Sequence, residues 1–90
     1  MLVALIAHDK PGSQSVRQGN RTKHLDYLNT AGQVAMAGPL LDGDGGMIGS
    51  LIVLDVPDMA AAQKWADGDP YALAGLFESV TLREWNKVIG

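Results

Sequence analysis

Short runs of apolar residues separated by turn signals predict four β-strands. The first run is continuously apolar and stops at the turn residues 9–12. A glycine-rich turn at residues 42–46 separates the second run from the third. The predicted strands are 2–7, 33–40, 47–56 and 78–85.

The segments between these strands carry helical patterns. Residues 15–31 repeat apolar positions at helical spacing, and Gly32 follows them as a C-cap. Residues 58–67 form a second predicted helix, in which Asp58 is the N-cap and a run of alanines favours the helix. A short helical turn at 69–74 precedes the last strand. The order βαββαβ predicts an α+β protein with the ferredoxin-like arrangement.

The predicted sheet is apolar on both faces. In this layout the first and third strands are central, and on the third strand Leu51 and Val53 point to one face while Ile52 and Leu54 point to the other. Two helices cover only one face of a four-stranded antiparallel sheet, so the open face is expected to pack against a second copy of the chain. The alternative is that a long loop covers it or that it stays open.

Composition narrows the function classes. The chain has 90 residues, which fit one domain over 1–90, and its seven basic and ten acidic residues give a net charge of −3. The basic residues at 21–23 are not extended into a cluster, so no nucleic-acid partner is predicted. The absence of cysteine excludes disulfides and thiolate zinc sites. The apolar runs are too short to span a bilayer and no secretory leader is recognised, so we expect a cytoplasmic location without a membrane partner.

The first predicted helix carries a basic stripe. Arg17, Arg21 and His24 are spaced by four and three residues, which places them on one side of the helix. Two cations in the first half of a helix oppose its dipole, and a bound anion would offset this. We therefore predict that both arginines hold a carboxylate, enolate or phosphate near His24. The alternative is that they are solvated charges, paired with Asp26 or Glu84.

His24 is predicted to form an acid–base pair with Asp69. The histidine lies where the basic stripe meets apolar positions, so it can be partly desolvated and still reach a ligand. A catalytic histidine needs a carboxylate to orient it, and Asp69 is the best candidate. Asp69 also precedes Pro70, which favours the first position of a helix, so N-capping explains the aspartate equally well.

Two further polar residues are candidates for substrate binding beside the arginines. Ser50 lies on the central third strand, and Tyr71 follows Asp69 closely enough to bring its hydroxyl to the same site, although simple packing is an equal alternative. The acidic turn at 42–45 lacks the spacing of a calcium loop, and no dinucleotide or phosphate-binding loop is present. We therefore predict no metal and no cofactor.

The ordered combination of these motifs resembles the YCII-like family over nearly the whole chain. The motifs are Arg17-x-x-x-Arg21-x-x-His24-Leu25, Ala37-Gly38-Pro39-Leu40, Gly49-Ser50, Ala66-x-x-Asp69-Pro70-Tyr71 and Ala74-Gly75-Leu76-Phe77. The resemblance implies a ferredoxin-like dimeric α+β barrel, related in fold to muconolactone isomerase. It also implies an active site containing the histidine and aspartate that match His24 and Asp69.

The sequence favours a small enzyme that uses His24 as general base or acid, oriented by Asp69, on a small anionic or polar organic substrate. Proton abstraction followed by isomerisation or elimination, as in a dehydrohalogenase, suits such a pair. One alternative is a non-catalytic dimeric module that binds a small molecule or has a regulatory role. Another is a protein–protein interaction domain in which the histidine is structural.

Overall fold

The computed structural model describes residues 1–30 and 32–90. The predicted order of elements is confirmed, and the boundaries agree with the predictions to within two residues. Ala31, the last residue of the first predicted helix, lies outside the described residues. The elements are β1 (Leu2–Asp9), α1 (Gln14–Thr30), β2 (Val34–Leu41), β3 (Met47–Asp55), α2 (Met59–Gly68), α3 (Pro70–Leu73) and β4 (Phe77–Trp85).

The strands form one antiparallel sheet in the order β2-β3-β1-β4, the ferredoxin-like topology expected from the sequence. Strands β1 and β3 are central, and Gly49 of β3 pairs with His8 of β1. A Cβ atom at Gly49 would collide with the carbonyl oxygen of Ala7. Glycine at this position therefore lets the two central strands pair beside the candidate site.

The hydrophobic core lies between one face of the sheet and the helices. Alternate residues of β1 and β3 point into it, among them Leu5, Ile52 and Leu54, each at most 1% exposed. Trp65 on α2 packs against them. Helix α2 begins as predicted, because the Asp58 side chain accepts a hydrogen bond of 2.8 Å from the backbone N–H of Ala61. No described helix is both long and apolar enough to cross a membrane.

The opposite face of the sheet presents apolar side chains to the surface. Ile6 and Leu51 are directly paired across β1 and β3, and they are 37% and 38% exposed. Their chain neighbours Leu5 and Ile52 point into the core, as the alternation of a strand requires. The sheet therefore has an open apolar face, as the sequence predicted.

Candidate active site

His24 and Asp69 are in direct contact inside the protein. Nδ1 of His24 lies 2.8 Å from Oδ1 of Asp69, and the two residues are only 6% and 1% exposed. A carboxylate oxygen can only accept a hydrogen bond, so Nδ1 carries the proton. In a neutral imidazole this leaves Nε2 unprotonated and able to accept a proton from a ligand.

The position of Asp69 follows from the local sequence. It lies between α2 and α3, with Pro70 at the first position of α3, and its Oδ1 accepts a hydrogen bond of 2.9 Å from the backbone N–H of Tyr71. The predicted N-cap is confirmed. The same oxygen serves both the cap and His24, while Oδ2 is buried without a hydrogen-bond partner among the described residues. The capping role and the orienting contact are therefore compatible.

Tyr71 connects two residues of the basic stripe. Its ring stacks on the imidazole of His24, with 3.9 Å between ring centroids and 13° between planes. The guanidinium carbon of Arg17 lies over the same tyrosine ring, 4.7 Å from its centroid. Arg17 and His24 are about two helical turns apart on α1, so one buried ring contacts both ends of the stripe.

Arg17 is buried in an ion pair that the sequence did not identify. Its Nε and Nη2 atoms donate to the carboxylate of Asp9 at 2.7 and 2.9 Å, and Nη2 also donates to Oγ of Ser50 at 3.0 Å. The alternative of a solvated charge paired with Asp26 or Glu84 is wrong for Arg17, because its side chain is buried and pairs with Asp9 at the end of β1. Burial alone would lower the pKa of Arg17, but the hydrogen bonds and charge of Asp9 outweigh it, and the pKa is raised.

The candidate side chains surround a cavity of about 210 Å³ between α1 and the sheet. Asp69 lies behind His24, outside the lining. Arg21 is exposed at the surface and makes no ion pair with any described residue. The polar lining consists of Arg17, Arg21, His24, Ser50 and Tyr71. The apolar lining includes Leu25, Leu28, Pro39, Met47 and Ile52.

The tyrosine hydroxyl remains a proton donor in this setting. Burial raises the pKa of Tyr71, and the positive charges of Arg17 and Arg21 offset only part of the effect. A phenol with a raised pKa is protonated at neutral pH, so it can donate a hydrogen bond to an oxygen of a ligand. In the described part of the chain, no group of three or more His, Asp or Glu residues could hold a metal ion.

The sequence singled out His24, Asp69, Arg17, Arg21, Ser50 and Tyr71, and the structure brings all six to one site. It missed Asp9 as the partner of Arg17. The available signal was an acidic residue at the end of the first strand, eight positions before the arginine.

Comparison with known proteins matches the chain, over nearly its whole length, to one family. The model of the YCII-related domain matches residues 1–86. The YciI proteins of Escherichia coli and Shigella flexneri are each 36% identical to this chain. Each alignment is 97 residues long, gaps included, and covers 98% of this chain and 99% of the relative.

The fold also resembles solved structures. The 5-chloro-2-hydroxyhydroquinone dehydrochlorinase TftG from Burkholderia phenoliruptrix, in complex with 2,5-dihydroxybenzoquinone, is 29% identical with a TM-score of 0.88 over 96% of this chain and 94% of that one. An antibiotic biosynthesis monooxygenase, 13% identical, shares the fold alone, with a TM-score of 0.56 over 97% of this chain and 100% of that one. Both match this chain in fold, which is that of the dimeric α+β barrel structures. From the family match, the relatives and the fold together, the chain belongs to the YCII-related domain family.

Proposed function

We propose that this protein is an enzyme that transfers protons on a small anionic or polar organic substrate, with His24 as the general base. The observation that carries the proposal is the 2.8 Å contact between His24 Nδ1 and Asp69 Oδ1 beside the cavity. It fixes the tautomer that leaves Nε2 able to accept a proton. The similarity to TftG, a dehydrochlorinase bound to a dihydroxybenzoquinone, supports an oxygen-rich ring as the substrate class.

The proposed proton transfer uses both residues of this contact. Nε2 of His24 takes a proton from an O–H or C–H group of the substrate, and the carboxylate of Asp69 stabilises the imidazolium that forms. The electron pair released from that bond forms a C=O or C=C bond. In an elimination, a group such as chloride leaves with its own bonding pair. In an isomerisation, Nε2 returns the proton to another carbon.

The substrate would be held by the polar lining. The exposed cation of Arg21 is placed to attract an anionic oxygen, and the protonated hydroxyl of Tyr71 can donate to a second oxygen. Arg17 and Ser50 stay as predicted binding residues, although Arg17 already donates hydrogen bonds to Asp9 and to Ser50. The apolar walls favour a ring over a highly charged chain.

The test uses the two histidines of the chain as a matched pair. His24→Ala removes the base, whereas His8→Ala changes an exposed histidine at the end of β1. Binding of 2,5-dihydroxybenzoquinone is measured by calorimetry, and turnover is measured as chloride release or absorbance change on chlorinated hydroxyhydroquinones and lactones. We expect His24→Ala to lower kcat about 10²- to 10⁴-fold with affinity largely kept, and His8→Ala to have no effect.

Two outcomes contradict the proposal. Binding without turnover by the unmodified protein on the whole panel supports the non-catalytic module instead. Turnover that survives in His24→Ala removes His24 as the base.

We further propose that two copies of the chain associate through the open sheet face. The exposed pair Ile6 and Leu51 lies at the centre of that face, and burying such apolar area is the main driving force of obligate association. The dimeric barrels that share the fold support the same arrangement. The cytoplasmic location and the single domain over 1–90 stay predictions from the sequence.

A further inference from the structure

The ion pair of Asp9 and Arg17 is buried, and the proposed proton transfer does not use it. The two side chains are 7% and 5% exposed. Removing two charges from water is costly, and a fully hydrogen-bonded bidentate pair only offsets that cost. A buried ion pair of this kind therefore adds little net stability by itself. Its contacts with other side chains point to another role.

A series of side-chain contacts connects the ion pair to His24. Asp9 on β1 holds the guanidinium of Arg17 by two hydrogen bonds, and Ser50 on β3 accepts a third. The guanidinium lies over the ring of Tyr71, and that ring is stacked on the imidazole of His24. Each link is a contact between buried side chains on different elements.

The hydrogen bond to Asp69 cannot fix the histidine alone. A single contact between Nδ1 and Oδ1 tolerates small changes of the histidine side-chain torsions, which tilt the imidazole and move Nε2. The nearly parallel stacking on Tyr71, with 13° between the planes, removes that freedom. General base catalysis requires the accepting nitrogen to stay within hydrogen-bond reach of one substrate proton.

We propose that Asp9, Arg17 and Tyr71 are positioning residues for His24. Asp9 anchors the guanidinium, the guanidinium holds the tyrosine ring, and the ring sets the plane of the imidazole while Asp69 sets its tautomer. The purpose of this arrangement rests on the proposed function of His24 as a base. The arrangement itself is a property of the free protein and is measurable without a substrate.

The first experiment is nuclear magnetic resonance of the full chain with ¹⁵N-labelled histidine, in which His24 is assigned by loss of its signals in His24→Ala. The ring nitrogen shifts report the tautomer, and the exchange rate of the Nδ1 proton reports how firmly the ring is held. Tyr71→Phe keeps the ring and should keep both signatures. Tyr71→Leu should speed the exchange ~10-fold or more, while the tautomer set by Asp69 is kept.

The matched control is Phe77→Leu. Phe77 packs edge-on against Tyr71, with 6.0 Å between centroids, so its removal disturbs the same aromatic cluster without taking away the ring that stacks on His24. The control should keep the unmodified tautomer and exchange rate. If Tyr71→Leu also keeps the exchange rate, or if Phe77→Leu changes it equally, Tyr71 does not position His24.

The second experiment uses Asp9→Asn and Arg17→Met, which change the contacts most distant from His24. It decides the proposal even if Tyr71→Leu does not fold. Both variants should speed exchange of the His24 Nδ1 proton. With a substrate that is turned over, Asp9→Asn should lower kcat ~10-fold or more while KM changes little. Exchange within the error of the unmodified protein in both variants overturns the proposal.

The two proposals fail separately. Faster exchange in the variants of a protein that shows no turnover overturns the proposed function and leaves the positioning role intact. Full turnover with unchanged exchange overturns the positioning role alone.

Discussion

Nδ1 of His24 lies 2.8 Å from Oδ1 of Asp69, although 45 positions of the chain separate the two residues. Helix α1 carries the histidine, and the junction of α2 with α3 carries the aspartate. The same Oδ1 accepts the backbone N–H of Tyr71, so one carboxylate oxygen holds both the start of α3 and the tautomer of His24. The contact therefore couples the local structure of a short helix to the chemistry of the cavity.

Loss of the Asp69 carboxylate should destabilise the protein more than loss of an ordinary cap. Asp58 is the matched control, because it caps α2 from an exposed position. We expect Asp58→Ala to cost about 1 kcal/mol of unfolding free energy, as N-cap deletions do. Asp69→Ala should cost about 2–3 kcal/mol, because it also leaves a buried histidine unpaired. Urea unfolding measures both values, and equal losses would show that the contact with His24 adds nothing to stability.

Gly49 is expected to tolerate no side chain. Gly49→Ala would drive a Cβ atom into the carbonyl oxygen of Ala7 and separate the central strands, whereas Gly38→Ala on β2 meets no atom within 4 Å. Gly49→Ala should lower the unfolding free energy by about 1–3 kcal/mol, as overpacking of an interior does. Gly38→Ala should be about as stable as the unmodified protein. Thermal unfolding of the two variants provides the comparison, and similar midpoints would contradict the predicted clash.

Stability should decline at alkaline pH through two tyrosines, Tyr71, which is buried, and Tyr27, which is half-buried. The pKa values of Tyr71 and Tyr27 are raised, in both cases chiefly by burial. A raised pKa means that the folded state keeps the proton to higher pH than the unfolded chain. Their contribution is therefore fully present below about pH 10, the ordinary tyrosine pKa, and is lost as the pH rises through the folded-state values.

The check on this prediction is the urea midpoint of the unmodified protein and of Tyr71→Phe at about pH 9 and about pH 11. The phenylalanine variant should lose less stability between the two, because it has no hydroxyl to ionise at that position. If the stability of Tyr71→Phe declines as steeply as that of the unmodified protein, ionisation of Tyr71 does not cause the alkaline loss of stability.

The open sheet face should control the oligomeric state. Ile6→Lys and Leu51→Lys each place a charge in the centre of the apolar patch, and burying such a charge without a partner is strongly unfavourable. We expect a dimeric mass for the unmodified protein and a monomeric mass for both variants in sedimentation or light scattering. Val88→Lys, at a side chain 83% exposed outside the sheet, is the control and should remain dimeric. A monomeric unmodified protein at micromolar concentration would refute the proposed dimer.

Arg21 should determine the affinity for anionic ligands. Its charge reaches the cavity and pairs with no described acidic residue, whereas Lys23 on the same helix is exposed and does not line the cavity. Arg21→Met should weaken binding of a dihydroxybenzoquinone anion by about 1 kcal/mol, roughly fivefold, and reduce its dependence on salt. Lys23→Met should bind as the unmodified protein does. Calorimetry at low and high salt measures both, and unchanged affinity in Arg21→Met would assign the anion to another group.

The order of the strands and helices was predictable because its signals are local. The apolar run of β3, the helical spacing along α1 and the capping residues Asp58 and Asp69 each act within a few positions of the chain. The same locality placed Arg17, Arg21 and His24 on one side of a helix. The candidate side chains were therefore found from the sequence, and so was the open apolar face.

The contacts among those side chains depended on tertiary structure. Spacing along α1 showed that Arg17 faces the site, but its partner Asp9 is supplied by a neighbouring strand, so a surface pairing was a reasonable and wrong alternative. The stacking of Tyr71 on His24 likewise depends on how α3 packs against α1. By itself the sequence determined which residues could act. Only the packing of helices on the sheet decided which atoms touch, because a hydrogen bond or a ring contact depends on ångström distances that local spacing does not define.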